Sequence, residues 1–530
     1  MSLLVFIVVL PLLTALVQLA VPGQYRVLHR ALPLMATFVT AGLSVLLFLR
    51  FDPELEGYQH LGVIPGLGAD VAGLQIRARL GVDGVNVGLI LMGALVAFAA
   101  ACTTWEIRER EKEFHVLLLL MTGGILGAFA SLDLFFFYFF HELALIPTFI
   151  LIGVWGRGPE RSYAAFKMTL YLSLGALVLL AGLIVLYVQA GAQTFDLETI
   201  TLRLRQEPLS PAAQHGIFPL LLVGFGVLAS LWPFHTWAAP GYAAAPSAAA
   251  MLHAGVLKKF GLYGLIRIAL PMLPDAADPW LKVLAALCLG NLLWCGWVAM
   301  RQRDLNLLLG NSSVAHMGFV FLGIASLSVI GVTGAVVVMV AHGFVAALGF
   351  GLTGHLYQQT RTLDMRQLGG LAKQVPFLGT ALVMALLAGC GLPGFANFVG
   401  EVMVLFGALE SYLSWTVLAC WAGLVIGGVY MIRAIRNTLH GPLPERWQAL
   451  VDASAWRRVP FVVLLSALLF FGVWPRSLTD RIAPAVAEMV APASDPRAGE
   501  AMLPGAGDGP VAEARERFAA HWLPAGLHTR

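Results

Sequence analysis

Residues 131–156 read SLDLFFFYFFHELALIPTFILIGVWG. A helix needs about 20 apolar residues to cross the roughly 30 Å hydrocarbon core of a bilayer, and this run supplies them while carrying Glu142 more than a turn inside. A charged group at the bilayer centre costs roughly 2.5–3.5 kcal/mol on insertion scales, so one that is kept there lines a water path or pairs with another group. Glu142 is therefore a candidate functional residue.

Comparable runs recur along nearly the whole chain. We count about fourteen of spanning length, at 2–21, 31–50, 82–103, 114–130, 132–155, 166–190, 216–237, 244–270, 279–300, 305–327, 329–357, 375–410, 413–435 and 457–475. Of the 530 residues, 59% are hydrophobic and 12% charged, whereas globular proteins carry about 45–50% apolar and about 25% charged residues. In lipid every backbone polar group must be paired within its own segment or in a closed barrel, and these runs are too long for barrel strands. The fold class is thus all-α, a polytopic membrane protein. The first run lacks a basic leader and a small-residue cleavage site, so it reads as a span rather than a removed signal. A net charge of +3 gives no sign of a nucleic-acid partner. Cys102, Cys288, Cys295, Cys390 and Cys420 lie scattered with no CxxC, which indicates neither a disulfide framework nor a zinc or iron–sulfur site.

Basic residues concentrate in the loops after odd-numbered runs, among them Arg26, Arg30, Arg108, Arg110, Lys112, Arg157, Arg161, Arg301, Arg303 and Arg436. The other loops hold mainly Arg77, Arg79, Arg203 and Arg205. The positive-inside rule then puts both termini on the outer, periplasmic side of a bacterial inner membrane. From residue 476 the chain turns polar, including AGEAMLPGAGDGP at 498–510, and reads as a mobile tail ending in a short helix.

Two runs are interrupted. The seventh continues as SLWPFHTWAAPGYAAAP, with Pro233, Pro240, Gly241 and Pro246, and the twelfth contains AGCGLPGFANFVGE, with Gly391, Pro393 and Gly394. Proline removes a helical hydrogen bond and clashes with the preceding turn, so unwound backbone is expected at both. Breaks at corresponding points of two halves suggest an inverted repeat with an ion path near the midplane. The organisation read from this is 1–113 (the first three helices), 114–270 (a first repeat of five helices), 279–435 (a second) and 457–530 (the last helix and the tail).

Further ionisable residues fall inside the apolar runs. Lys258 and Lys259 lie in PSAAAMLHAGVLKKFGLYGLIRI at 246–268, where His253 precedes them. Adjacent helical residues point about 100° apart, so the two lysines face different ways. His316 in GNSSVAHMGFV and His342 in VVVMVAHGFVAALGF add imidazoles, which take and return protons near a pKa of about 6.5. Glu401 follows the second break, and His235 stands beside the first. Together they suggest a proton wire: a carboxylate–lysine pair across the bundle, with histidines leading onward. Walker loops, dinucleotide glycine patterns, HExxH and nucleophile elbows are absent from the sequence.

HELALIPTFILIGVWG, WPFHTW, AGVLKKFGLYGLIRI, SSVAHMGF, AHGF and LPGFANFVGE resemble, in order, motifs of the antiporter-like membrane subunits of respiratory complex I, in the subunit M branch of bacterial NADH-quinone oxidoreductase. The likeness spans roughly residues 80–440. It implies about fourteen helices, inverted five-helix repeats, broken helices seven and twelve, and proton translocation. It also implies other membrane-arm subunits as partners, with NADH, FMN, iron–sulfur and quinone chemistry housed in partner subunits and no cofactor in this chain. Glu142 corresponds to the fifth-helix glutamate, Lys259 to the central eighth-helix lysine, Glu401 to the twelfth-helix proton exit, and His316 and His342 to histidines on the linking helices.

Some positions depart from the pattern. The lysine expected five residues before the proline of WPFHTW is Leu228, and the usual LPDAH is AAPGY, Ala238 to Tyr242. Asn306 and Leu307 replace two basic residues. Glu142 thus loses its expected partner; either the additional Lys258 swings across to it, or this half-channel conducts differently. A sodium–proton antiporter, a membrane-bound hydrogenase subunit or a non-pumping scaffold are the alternative readings of the same fold. On the leading one, Glu142→Gln lowers proton pumping while leaving assembly intact, and unchanged pumping in the assembled variant overturns that role.

Overall fold

In a computed structural model of the chain, residues 2–71 and 74–494 are described. Helices α1 (Leu3–Ala20) and α2 (Arg26–Arg50) lead into a hairpin, β1 (Gln59–Val71) and β2 (Leu74–Val82), and then into α3 (Gly84–Cys102). α4 (Glu111–Ala130), α5 (Leu134–Trp155) and α6 (Arg161–Ala190) follow, then a short α7 (Leu197–Gln206) and α8 (Pro211–Leu228). After the first break come α9 (Ala238–Ala244) and α10 (247–272), the latter a single run of alternating α and π turns. α11 (Pro274–Arg301), α12 (Leu305–Ala325) and α13 (Val329–Thr360) lead to the second break, which lies between α14 (Pro376–Ala388) and α15 (Ala396–Leu409). α16 (Ser414–Leu439), α17 (Ala455–Val473) and α18 (Arg476–Ser494) complete the described chain. Twelve of these helices are long and apolar enough to cross a membrane, and the chain is a multi-pass membrane protein.

α3, α12 and α13 are almost wholly buried, whereas α1, α2, α6 and α17 keep most of their apolar surface outward. The inner helices carry small and polar residues, such as the buried Gly310, Asn311, Ser312 and Ser313 of α12. Small side chains let membrane helices approach closely and polar ones bond between them.

Both interruptions take the form that sequence chemistry dictates. At the first, Ser230 adopts a left-handed φ of +63°, and Asn291 of α11 restores the freed backbone: its amide donates to Ser230 O (2.9 Å) and Val314 O (3.1 Å) and accepts from Trp232 N (2.8 Å). At the second, Gly391 (φ +69°) and Gly394 (φ +102°) occupy backbone that L side chains rarely adopt.

Two segments differ from the sequence expectation. The loop before α3 is an antiparallel hairpin in which Gln59 faces Val82. Ala78, Leu80 and Val82 are buried while Arg77 is exposed, the alternation of a half-buried strand. Arg79 crosses to Asp196 (2.5 Å) and Glu198 (2.9 Å) at the start of α7. Burial opposes the Arg79 charge, but these two carboxylates hold its pKa above the ordinary value. The chain beyond 476, expected as a mobile tail, instead begins with α18, whose Leu478, Ile482, Val486 and Val490 are buried against α3, α13 and the end of α10. A four-residue apolar spacing puts these on one helical face. The expected short terminal helix lies outside the described residues.

Charge joins α3 to α10 at both ends. Asp83 caps α3 by accepting from Val85 N and Asn86 N, and its carboxylate takes two bonds from Arg267 of α10 (2.6 and 2.7 Å). Arg267 also donates to the Tyr263 and Tyr58 hydroxyls (3.1 and 3.2 Å). At the opposite end Glu106, just past α3, accepts from Ser247 N (2.8 Å), the first residue of α10, and from Arg157 (2.7 Å). Removing one partner of a buried ion pair costs about 3–5 kcal/mol, whereas replacing both by apolar groups costs far less. Asp83→Asn is therefore expected to lower the midpoint of heat unfolding in detergent more than the double variant Asp83→Leu with Arg267→Met. Equal losses overturn this account of the pair.

Candidate functional site

The π turn at His253–Leu257 ends with Lys258 N bonding back to His253 O (3.1 Å). The two lysines that follow are fully buried and diverge. Lys258 reaches α12, where its Nζ donates to Ser313 O (3.1 Å) and Oγ (3.0 Å). Lys259 turns back on its own helix and donates to Ala254 O (2.6 Å).

From Ser313 a line of polar groups runs through the second half of the bundle. Ser313 Oγ lies 3.0 Å from His342 Nε2 on α13, and the His342 and His316 rings are 5.2 Å apart. His316 Nδ1 lies 2.7 Å from Ser312 O, and its Nε2 lies 2.7 Å from Gly389 O at the second break. A neutral imidazole has one N–H and an imidazolium two, so a charged His316 satisfies both carbonyls. Glu401 Oε1 stands 3.7 Å from His316 Nε2 and has no hydrogen-bond partner of its own. Ser312 Oγ bonds the Tyr430 hydroxyl of α16 (3.1 Å). A cavity of about 20 Å³ opens among Ser312, Ser313, His316 and His342, room for one water molecule.

The other candidates stand apart from this line. Glu142 is about a third exposed on α5 and lies 3.2 Å from His141 Nδ1. The His141 ring stacks on Phe260, the residue after Lys259, with centroids 4.1 Å apart. Among the described residues no lysine forms an ion pair with Glu142. Lys258, whose swing toward it is one of the two repairs the sequence leaves open, follows the π turn and is held instead by Ser313 of α12. Lys167 lies over the Tyr163 ring of its own helix. His253 sits between the Trp237 and Tyr242 rings (5.5 and 5.4 Å). His235 is buried in the first break, where its carbonyl accepts from Ala238 N (3.0 Å). Leu228 is the buried last residue of α8.

Sequence reasoning passed over Ser313, Ser312, Tyr430 and His141. Ser312 and Ser313 stand inside the motif that drew attention to His316, and His141 directly precedes Glu142. Tyr430 has no such signal. No group of three or more His, Cys, Asp or Glu able to hold a metal occurs among the described residues.

A multi-pass bundle with two interrupted helices and a buried lysine–histidine–glutamate line has the architecture of an ion-translocating membrane protein. Residues 131–427 match the family model described as NADH:quinone oxidoreductase/Mrp antiporter, TM, and the chain belongs to that family. It is 33% identical over 466 residues to NADH-quinone oxidoreductase subunit M of Rhodobacter capsulatus, covering 86% of this chain and 89% of that one. It is equally 33% identical, over 457 residues, to F(420)H(2) dehydrogenase subunit M of Methanosarcina mazei, covering 84% and 90%. Among solved structures, a chain of respiratory complex I from Thermus thermophilus with bound NADH superposes with a TM-score of 0.82 at 29% identity, covering 92% of this chain and 99% of that one. A chain of the Mrp complex from Dietzia sp. shares the fold, with a TM-score of 0.77 at 21% identity, covering 94% and 98%.

A Cβ placed on Gly391 would collide with Glu401 Oε2, whereas one on Gly394 meets nothing. Both have positive φ, so alanine strains the backbone at either position. Gly391→Ala, unlike Gly394→Ala, is therefore expected to shift the Glu401 carboxyl band in infrared difference spectra, the band being assigned by its loss in Glu401→Gln. Identical spectra for the two alanine variants overturn the contact.

Proposed function

We propose that this chain is a proton-translocating membrane subunit of an NADH-quinone oxidoreductase, coupling quinone reduction in partner subunits to proton movement across the membrane. The observation that carries the reading is the buried line from Lys258 through Ser313, His342 and His316 to Glu401, within a family whose relatives include NADH-quinone oxidoreductase subunit M. The redox groups, FMN, iron–sulfur clusters and quinone, belong on this reading to the partners, and the chain contributes ion movement. Both termini face the periplasm, as the distribution of arginine and lysine in the loops indicates. Residues 114–270 and 279–435 act as two inverted halves, each with one interrupted helix.

Electrostatics supplies the coupling. Opposite unit charges about 4 Å apart attract by about 4 kcal/mol at an effective dielectric of 20, so the state of Glu401 strongly biases His316 at 3.7 Å. A charge displacement in a neighbouring subunit enters on the first half, at Glu142 and His141, and alters the preference of Lys259 and Lys258 for their protons. His342 and His316 pass the proton on. Glu401, against the unwound backbone of the second break, releases it. His253 and His235 line the approach beside the first break.

The test uses inside-out membrane vesicles containing the assembled complex, with NADH as donor and a pH-sensitive dye inside. Glu401→Gln is expected to slow proton uptake about a hundredfold, within the usual range for loss of a positioned proton-transfer group. Wild-type uptake in that variant overturns the proton-translocating reading, and uptake that requires sodium replaces it with cation antiport.

A further inference from the structure

The resemblance gives the central role to Lys259 and leaves Lys258 supernumerary, but the side chains divide the work differently. Lys258 hydrogen-bonds into the polar line, whereas the hydrogen bond of Lys259 goes to a carbonyl of its own helix. We propose that Lys258 is the immediate proton donor to the His342–His316–Glu401 line and that Lys259 is the second seat of one positive charge shared by the two lysines. The proposal rests on the proton-translocating reading above.

Neither lysine forms an ion pair among the described residues. Lys258 is bonded to Ser313 O and Oγ and faces the Tyr242 ring at 5.5 Å; Lys259 is bonded to Ala254 O. An unpaired ammonium out of water is costly, and a second one on the next residue adds repulsion in the same low-dielectric space. One proton held between two amines avoids that repulsion.

Ser313 Oγ supplies the step. It accepts from the Lys258 ammonium on one side and faces His342 Nε2 on the other. As Lys258 gives a proton to the hydroxyl oxygen, the hydroxyl's own proton passes to His342 Nε2, leaving a neutral amine and an imidazolium. Charge and atoms balance, and the hydroxyl is regenerated. Both lysines are then neutral, and the next proton, arriving from the first half of the bundle, is taken up by Lys259 and passed to Lys258. The water-sized cavity bordered by Ser313, His342 and His316 gives the proton its path between the two rings.

The experiment compares Lys258→Leu, Lys259→Leu, Ser313→Ala and Glu401→Gln in the assembled complex, with assembly checked by native gel and proton uptake measured in inside-out vesicles. Lys258→Leu and Ser313→Ala are each expected to lower uptake by about tenfold or more, and Lys259→Leu to lower it less. If Lys258→Leu fails to assemble, Ser313→Ala decides, since it changes no charge and little volume. Wild-type uptake in Ser313→Ala, or a larger loss in Lys259→Leu than in Lys258→Leu, overturns the proposal while impaired Glu401→Gln leaves the function standing. Wild-type uptake in Glu401→Gln removes the function and the proposal together.

Discussion

The placement of α10 depends on charge at its two ends. Glu106 accepts from the first backbone N–H of the helix while Arg157 neutralises it, and Arg267 closes on Asp83 with two hydrogen bonds. Both carboxylates belong to the ends of α3, a helix that is itself almost wholly buried. A helix with two buried lysines and two π turns has little intrinsic reason to hold one depth in the membrane. Pinned at both ends to a buried strut, it has no freedom to slide, and the Lys258 side chain meets the same partner on α12 each time.

The same economy governs the interrupted helices. Unwinding frees backbone groups that lipid cannot satisfy, and the chain meets each with a particular side chain. Asn291 takes up both the donor and the acceptor at the first break. At the second, the Gly389 carbonyl is met by His316, so one imidazole both repairs the backbone and stands beside Glu401. The bond to the freed carbonyl and the approach to Glu401 share one atom, His316 Nε2, which links the shape of the break to the surroundings of the carboxylate.

The sequence discloses these features unequally, for physical reasons. Apolar length reveals helices because the bilayer imposes it, and Pro233, Gly391 and Gly394 reveal the interruptions because they exclude regular helix. Buried charge in Glu401, Lys258 and Lys259 stands out against its surroundings because it is expensive. The direction of each lysine is another matter. A helical wheel says that consecutive residues diverge by about 100°, but the π turn at His253–Leu257 shifts the phase, and no local residue type announces it. The β-hairpin carries a short alternation, Ile76, Ala78, Leu80, Val82, within a polar loop whose arginines drew attention to charge instead. In α18 the apolar stripe is legible, but Pro484 and Pro492 argue against a helix by the ordinary rule, and only packing on α3 and α13 overrides them. The ion pairs Asp83–Arg267 and Glu106–Arg157 join residues far apart in the chain, beyond the reach of any local pattern.

The cavity beside the two histidine rings, about 20 Å³, has a further consequence. A hydrated sodium or potassium ion travels with several oxygen ligands around it, and a chamber with room for a single water cannot hold that shell. A proton needs none, because it changes bonds instead of moving as a body. A cation that keeps its hydration shell is thus larger than this chamber, whereas a proton passes from bond to bond through a single water.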